Sequence, residues 1–338
     1  MSAGASTSLP TAHRWPCGVR RSSIRFDTAP AFLTVPPVDP SVIDVRDLRK
    51  EYGGFVAVDG VSFGVDSGEV FGVVGPNGAG KTTTLKTLAG LVEPTAGTVE
   101  VDGAPANGRE TRRRLGFLPE ESPLYEEMTA LSYLRFFADL YDVPRGVANT
   151  RIHDALDRLE LDHRERPLGD TSKGMKRKVA IARSLVNDPD IVVYDEPASG
   201  LDPLTTNYIV DFTRELADEG RTVVFSAHNL YHVEEVCDRV AIMNEGTIVA
   251  EGRLDDLRTE YGHTEYHVYT TVEVPQAVAE NGRYRRVVDG MDEVRRVEAV
   301  AEDRGGSVDD IRTVEPSLER LFLDLAESEE VDTARREA

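Results

Sequence analysis

The chain has 338 residues, enough for two domains or one large α/β domain with attachments at roughly 150 residues per domain. Its 39 Lys and Arg against 60 Asp and Glu leave a formal charge of −21. That excludes a surface that wraps nucleic-acid phosphates nonspecifically, so any anion site must be local. Cys17 and Cys237 lie far apart in sequence without metal-ligand spacing, so neither a disulfide framework nor a zinc site is indicated, and a reducing cytoplasm is expected. No run approaches the ~18 apolar residues of a membrane span.

The first 40 residues carry six prolines and Arg14, Arg20, Arg21 and Arg25 without a continuous apolar segment. They read as a disordered tail, and no secretory leader is expected. From residue 42 short β-rich pieces, 42–45 and 56–65, are broken by Gly53, Gly54, Gly60 and the Asp66-Ser67-Gly68 turn, which predicts an antiparallel edge sheet. Residues 70–74 are a continuous apolar run, as a strand buried on both faces requires, and a Gly-rich turn and a helix at 81–89 follow. Residues 123–187 read as helical. Leu131, Leu134, Phe137, Leu140 and Tyr141 fall on one face and Val179, Ala182, Leu185 and Val186 on another, as core stripes.

Apolar strands at 191–194 and 222–226, then a hairpin at 240–250 turning at Asn244-Glu245-Gly246, complete an alternation that argues for an α/β sheet. Near residue 264 the pattern resets to a strand at 266–274, a helix at 291–303, a strand at 308–314 and an amphipathic helix at 316–326. The expected organisation is a tail at 1–40, a main domain at 41–262 with a helical portion at about 121–187, a small α+β domain at 263–326, and an acidic tail at 327–338.

Gly75-Pro76-Asn77-Gly78-Ala79-Gly80-Lys81-Thr82 matches G-x-x-x-x-G-K-[S/T], and Thr83 continues it. A loop that leaves a buried strand and enters a helix converges its N–H groups and the positive helix end on phosphate oxygens. Lys81 would reach the β- and γ-phosphates of a nucleotide, and Thr82 would ligate Mg²⁺. Kinases, GTPases and ATPases all remain open at this point. Asp195 and Glu196, at the end of the apolar strand 191–194, narrow the choice: the first can hold the metal and the second can polarise an attacking water. The alternative is that the pair caps the turn at Pro197.

From Tyr52 to His228 the order of motifs resembles the nucleotide-binding subunit of an ABC transporter, over roughly residues 42–255. The resemblance implies a P-loop NTPase fold of the ABC-cassette kind, with an antiparallel β subdomain and a helical subdomain. Thr171-Ser172-Lys173-Gly174-Met175 stands where that family has its LSGGQ signature. Ser172 and Gly174 would therefore bind the γ-phosphate held by the other subunit, which implies a head-to-tail homodimer around two ATP. Ser199-Gly200-Leu201-Asp202 resembles the D-loop, and this places Asp202 beside nucleotide. His228 resembles the switch histidine and Tyr52 the aromatic that stacks on adenine; by themselves they would pass as a core or surface histidine and an edge-strand aromatic.

Lys173 and Met175 depart from the signature. Glu120 stands in place of the family's Q-loop glutamine, facing the metal and the water, and Gln276 is the chain's only glutamine. The residues after Glu120, with residues 315–322, resemble stand-alone ATPase subunits of separately encoded export-type permeases, including sodium-extrusion and multidrug systems. The acidic composition with only six lysines resembles that of halophile proteins. These resemblances imply a peripheral position on the cytoplasmic membrane face, a separate permease as partner and no nucleic acid. Residues 123–141 would receive the permease's coupling helix, with Phe136 and Tyr141 as candidates. A soluble ABC-type ATPase of translation or DNA maintenance is the rival. One cassette, no sustained heptads between Lys81 and Ser172, and the negative charge count against it.

Overall fold

In the computed structural model the described residues are 41–261 and 264–314. The chain runs β1 (Ile43–Tyr52), β2 (Phe55–Val65), β3 (Val70–Val74), α1 (Lys81–Leu88), β4 (Ala96–Val101), β5 (Ala104–Pro105), α2 (Arg109–Arg113) and β6 (Leu115–Leu118). Helices α3 (Ala130–Leu140), α4 (Arg145–Arg158) and α5 (Lys173–Leu185) come next, with a 3-10 turn at Leu168–Asp170. Then follow β7 (Ile191–Tyr194), α6 (Pro203–Asp218), β8 (Thr222–Ala227), α7 (Leu230–Val236), β9 (Arg239–Asn244), β10 (Thr247–Arg253) and α8 (Leu254–Tyr261). The last elements are β11 (Glu265–Thr270), β12 (Val278–Glu280), β13 (Arg283–Val288), α9 (Met291–Asp303) and β14 (Val308–Val314).

The expected edge sheet is antiparallel, in the order β2-β1-β4-β5. The central sheet has the order β10-β9-β3-β8-β7-β6, with only β10 antiparallel to its neighbour. β3 is buried at every residue because its side chains alternate between two cores. Val70 and Val74 join the helical side, while Phe71 and Val73 join the side packed on β1, β2 and α1. The parallel register sets Val74 beside Ala227, Tyr194 beside Phe225, and Leu118 beside Tyr194. The loops after β3, β6, β7 and β8 therefore leave the same edge of the sheet, the crevice at the carboxyl ends of strands where α/β ligands bind.

Two details differ from the sequence reading. Leu140 is 60% exposed, because α3 turns that side away from the core that Leu131 and Leu134 enter. The predicted strand at 266–274 stops at Thr270, and a hairpin of β12 and β13 follows it. The small sheet has the order β12-β13-β11-β14, with Val294, Val297 and Ala301 of α9 packed on Val268 and Val288. The tail at 1–40, the helix at 316–326 and the acidic tail lie outside the described residues. Among the described residues no helix is long and apolar enough to cross a membrane.

Candidate functional site: a nucleotide cleft and a separate signature surface

The loop Gly75–Thr82 is held by two close approaches. A Cβ at Gly75 (φ +152°) would lie 2.2 Å from the Met243 carbonyl oxygen, and one at Gly80 (φ +101°) 2.6 Å from that of Ala57. Gly80 precedes α1 directly, so the helix begins at Lys81. Lys81 is buried to 5% exposure. Its Nζ donates to the carbonyls of Gly75 (2.8 Å) and Pro76 (3.1 Å) and lies 3.7 Å from Glu196 Oε1. Gly80, Lys81 and Glu196, together with Phe55, Ala57, Asn77, Gly78, Thr82, Thr83, Glu120, Ser199 and His228, line a cleft of about 540 Å³.

Asp195 and Glu196 follow β7 and sit under the loop. Asp195 Oδ1 accepts from Thr82 Oγ1 (3.1 Å) and Ser226 Oγ (2.8 Å), while its buried Oδ2 has no partner. A buried, half-satisfied carboxylate beside a hydroxyl is a donor set that fits Mg²⁺, which commonly takes one or two side chains plus substrate phosphates. Among the described residues no group of three or more His, Cys, Asp or Glu could hold a metal on its own.

Glu196 has φ +47°, a left-handed conformation that costs a non-glycine residue about 1–2 kcal/mol. Its N–H donates to Ser226 Oγ (3.0 Å) and its Oε2 lies 2.6 Å from His228 Nδ1. The general-base candidate is thus flanked by Lys81 on one oxygen and His228 on the other.

Glu120 is exposed and lines the same cleft. Tyr52 does not line it. That ring is 46% exposed with Lys50 Nζ 4.9 Å from its centroid, whereas Phe55, its antiparallel partner across the Gly53-Gly54 turn, faces the cleft. Sequence reading missed Phe55, which stood at the start of a β-rich piece, and also Ser226, a hydroxyl near the carboxyl end of an otherwise apolar strand.

The signature residues lie elsewhere. Ser172 caps α5, accepting from the Met175 N–H (3.2 Å), and Gly174 packs on Thr205. Asp202 caps α6, accepting from Thr205 N (3.0 Å) and Oγ1 (2.7 Å), and these bonds hold its carboxyl below its ordinary range. Ser172, Lys173, Gly174, Gly200, Asp202 and Thr205 line a second depression. Lys173 reaches back over the D-loop: a Cβ at Gly200 would lie 2.3 Å from its Nζ, so glycine there makes room for the lysine. The cleft at Lys81 and the depression at Ser172 share no lining residue.

A phosphate loop with a carboxylate pair at neighbouring strand ends defines a P-loop nucleoside triphosphatase. Comparison with known proteins gives the family. A family model described as "ABC transporter" matches residues 58–199. An uncharacterised ABC transporter ATP-binding protein from Nostoc sp. is 40% identical over 242 residues, covering 69% of this chain and 72% of the relative. The ABC transporter ATP-binding protein NatA of Bacillus subtilis is 41% identical over 60% of this chain and 83% of its own length. The Nod factor export ATP-binding protein I of Burkholderia lata is 39% identical over 64% and 71%. A solved ATP-binding subunit of an ABC transporter superposes with a TM-score of 0.60 at 35% identity, covering 65% of this chain and 93% of that one. The dimeric cassette MJ0796 bound to ADP and Pi gives 0.57 at 26%, covering 63% and 98%. The chain belongs to the ATP-binding subunits of ABC transporters, and it is an ABC-type ATPase.

Proposed function

We propose that this ATPase drives export through a separately encoded permease, acting at the cytoplasmic face of the membrane as a head-to-tail dimer that encloses two ATP. One observation carries the dimer: the phosphate-binding cleft and the signature surface occupy different parts of the chain. A second copy, turned about a two-fold axis, would complete each site reciprocally. The family's solved cassettes include a dimer bound to ADP and Pi. Export is supported by the relative whose name describes Nod factor export.

In this reading the glycines of the loop let its N–H groups approach the phosphates, and Lys81 turns from the loop carbonyls toward the β- and γ-phosphates. Ser172 and the Gly174 N–H of the second copy close over the γ-phosphate. Glu196 takes a proton from the attacking water, and His228, now bonded to Glu196, fixes that carboxylate and then meets the γ-phosphate as the dimer closes. Thr82 and Asp195 would hold Mg²⁺, which supplies charge neutralisation at the phosphates. Phe55, which lines the cleft where Tyr52 does not, stacks on adenine.

Docking of the permease is supported by a groove of about 420 Å³ in which Phe117, Phe137, Leu140 and Tyr141 stand beside Arg109, Arg112 and Arg183. In a chain of charge −21 these arginines favour a short amphipathic permease helix bearing apolar anchors and a carboxylate. Phe136 packs edge-on against Tyr125 and Phe137 and supports the groove wall.

The composite site is tested by mixing two inactive variants, Lys81→Ala and Ser172→Arg. One intact site per mixed dimer should restore ATP hydrolysis to about a quarter of wild type by random pairing. Mixed dimers that form in ATP yet stay silent would count against the composite site.

A further inference from the structure

Arg177 lies on α5, one and a half turns beyond the Ser172 cap, and is 8% exposed. A guanidinium has five N–H donors in a fixed fork, and five backbone carbonyls surround this one. Nε donates to Pro197 (2.6 Å), Nη1 to Pro119 (2.7 Å) and Glu120 (2.9 Å), and Nη2 to Asp195 (3.1 Å) and Glu196 (2.7 Å). Burial lowers its pKa to about 10, which leaves it charged at neutral pH. All five acceptors are neutral carbonyls that fix the geometry through the fork, and the nearby Asp195 carboxylate favours the charge.

Those carbonyls belong to two loops that leave adjacent parallel strands, one carrying Glu120 and the other Asp195 and Glu196. Glu196 is the residue in left-handed conformation. Such strain persists where neighbours over-determine it: Ser226 holds the Glu196 N–H and Arg177 holds its carbonyl. Arg177 is therefore a tie between the signature helix and the backbone of the residue assigned to polarise water.

We propose that Arg177 is a positioning residue: it sets the orientation of Glu196 and makes that orientation depend on where α5 lies relative to the Glu120 loop. Movement of α5, whose N-terminus carries Ser172 and Gly174, shifts the guanidinium, and the carbonyls of Pro119, Glu120, Asp195, Glu196 and Pro197 move with it. Neither Lys nor Gln supplies five donors in a plane, so neither replaces it. The inference rests on the reading of Glu196 as the water-polarising group.

The test is a double-mutant cycle on the full chain, with ATP affinity by calorimetry and hydrolysis under single-turnover conditions. Arg177→Gln and Arg177→Lys should each keep ATP affinity within about threefold, because the phosphate loop is untouched, and lower the hydrolysis rate about 10- to 100-fold, the cost of misplacing a reacting group. In a Glu196→Gln background neither should lower the rate further. Wild-type turnover in both Arg177 variants, or an equal fold-loss with and without Glu196, overturns the proposal, since a merely structural role acts additively. If Arg177→Gln is not recovered folded, Arg177→Lys, which keeps the charge, decides by the same cycle. Near wild-type hydrolysis by Glu196→Gln alone would remove the reading of Glu196 instead, an outcome separable from failure of Arg177.

Discussion

Replacing Gly75 and Gly78 separately by alanine divides the phosphate loop's steric constraint from its conformational one. Both glycines have positive φ, +152° and +89°. A Cβ on Gly78 meets nothing within 4 Å, whereas one on Gly75 would sit 2.2 Å from the carbonyl oxygen of Met243, at the buried end of β9. Gly78→Ala therefore carries backbone strain alone, about 1–2 kcal/mol. Gly75→Ala carries strain plus an overlap that only a shift of about 1 Å relieves, since ordinary Cβ contacts begin near 3.4 Å. A shift of that size takes loop N–H groups out of hydrogen-bonding range of phosphate. Losing two charge-assisted bonds at about 1.5–3 kcal/mol each weakens ATP binding by roughly 10²- to 10⁴-fold. Calorimetric titration with ATP, alongside thermal melts, measures both variants. Gly75→Ala binding ATP within about fivefold of wild type, and no worse than Gly78→Ala, would refute the claim that β9 fixes the loop's shape.

Three further outcomes are expected. Asp188 bridges Arg221 and Arg151 at 2.8 Å each, and the Arg221 hydrogen bond depresses its carboxyl pKa below the ordinary 3.8. Its stabilising contribution is present above that ordinary value and fades as pH falls through the folded one. Asp188→Asn should lower the urea midpoint at pH 7 and converge with wild type in strong acid; parallel curves at all pH values would contradict this. Glu120→Gln should keep basal hydrolysis within about tenfold, ~1.4 kcal/mol of barrier, while raising the Mg²⁺ concentration for half-maximal rate; an unchanged Mg²⁺ titration would show that Glu120 does not face the metal. With a charge of −21, melting temperature should rise from dilute buffer to molar KCl as screening shortens to about 3 Å, and a flat or falling curve would make the acidic surface incidental.

What the sequence made legible was local. The phosphate loop, the strand before it and the Asp-Glu pair are contiguous, and each carries its chemistry in neighbouring residues. The turn at Asn244-Glu245-Gly246 was readable for the same reason, with both Glu245 and Gly246 at positive φ. Arg177 was not readable. It sits between Lys176 and Lys178 in what looks like a solvated run, and its acceptors are backbone carbonyls 18–20 and 57–58 residues away that no side-chain pattern marks. Leu140 fits the helical stripe by spacing, yet it ends in a groove beside arginines, because spacing cannot tell a core from a docking face. The β12–β13 hairpin did leave a signal, since Asn281 and Gly282 form a two-residue turn at positive φ of the type that Asn-Gly favours. β12 is short and β13 is rich in arginine, without the apolar alternation that would draw attention.

The central claim is that a complete catalytic site requires two copies of the chain. The direct measurement is the solution mass of Glu196→Gln with and without ATP and Mg²⁺, because removing the water-polarising carboxylate should leave nucleotide binding intact and stall the closed state. The account predicts that the mass doubles on adding ATP and Mg²⁺, and that Ser172→Arg in the same background abolishes the doubling while ATP still binds. A Glu196→Gln chain that binds ATP and stays monomeric, or a dimer indifferent to Ser172→Arg, would contradict it.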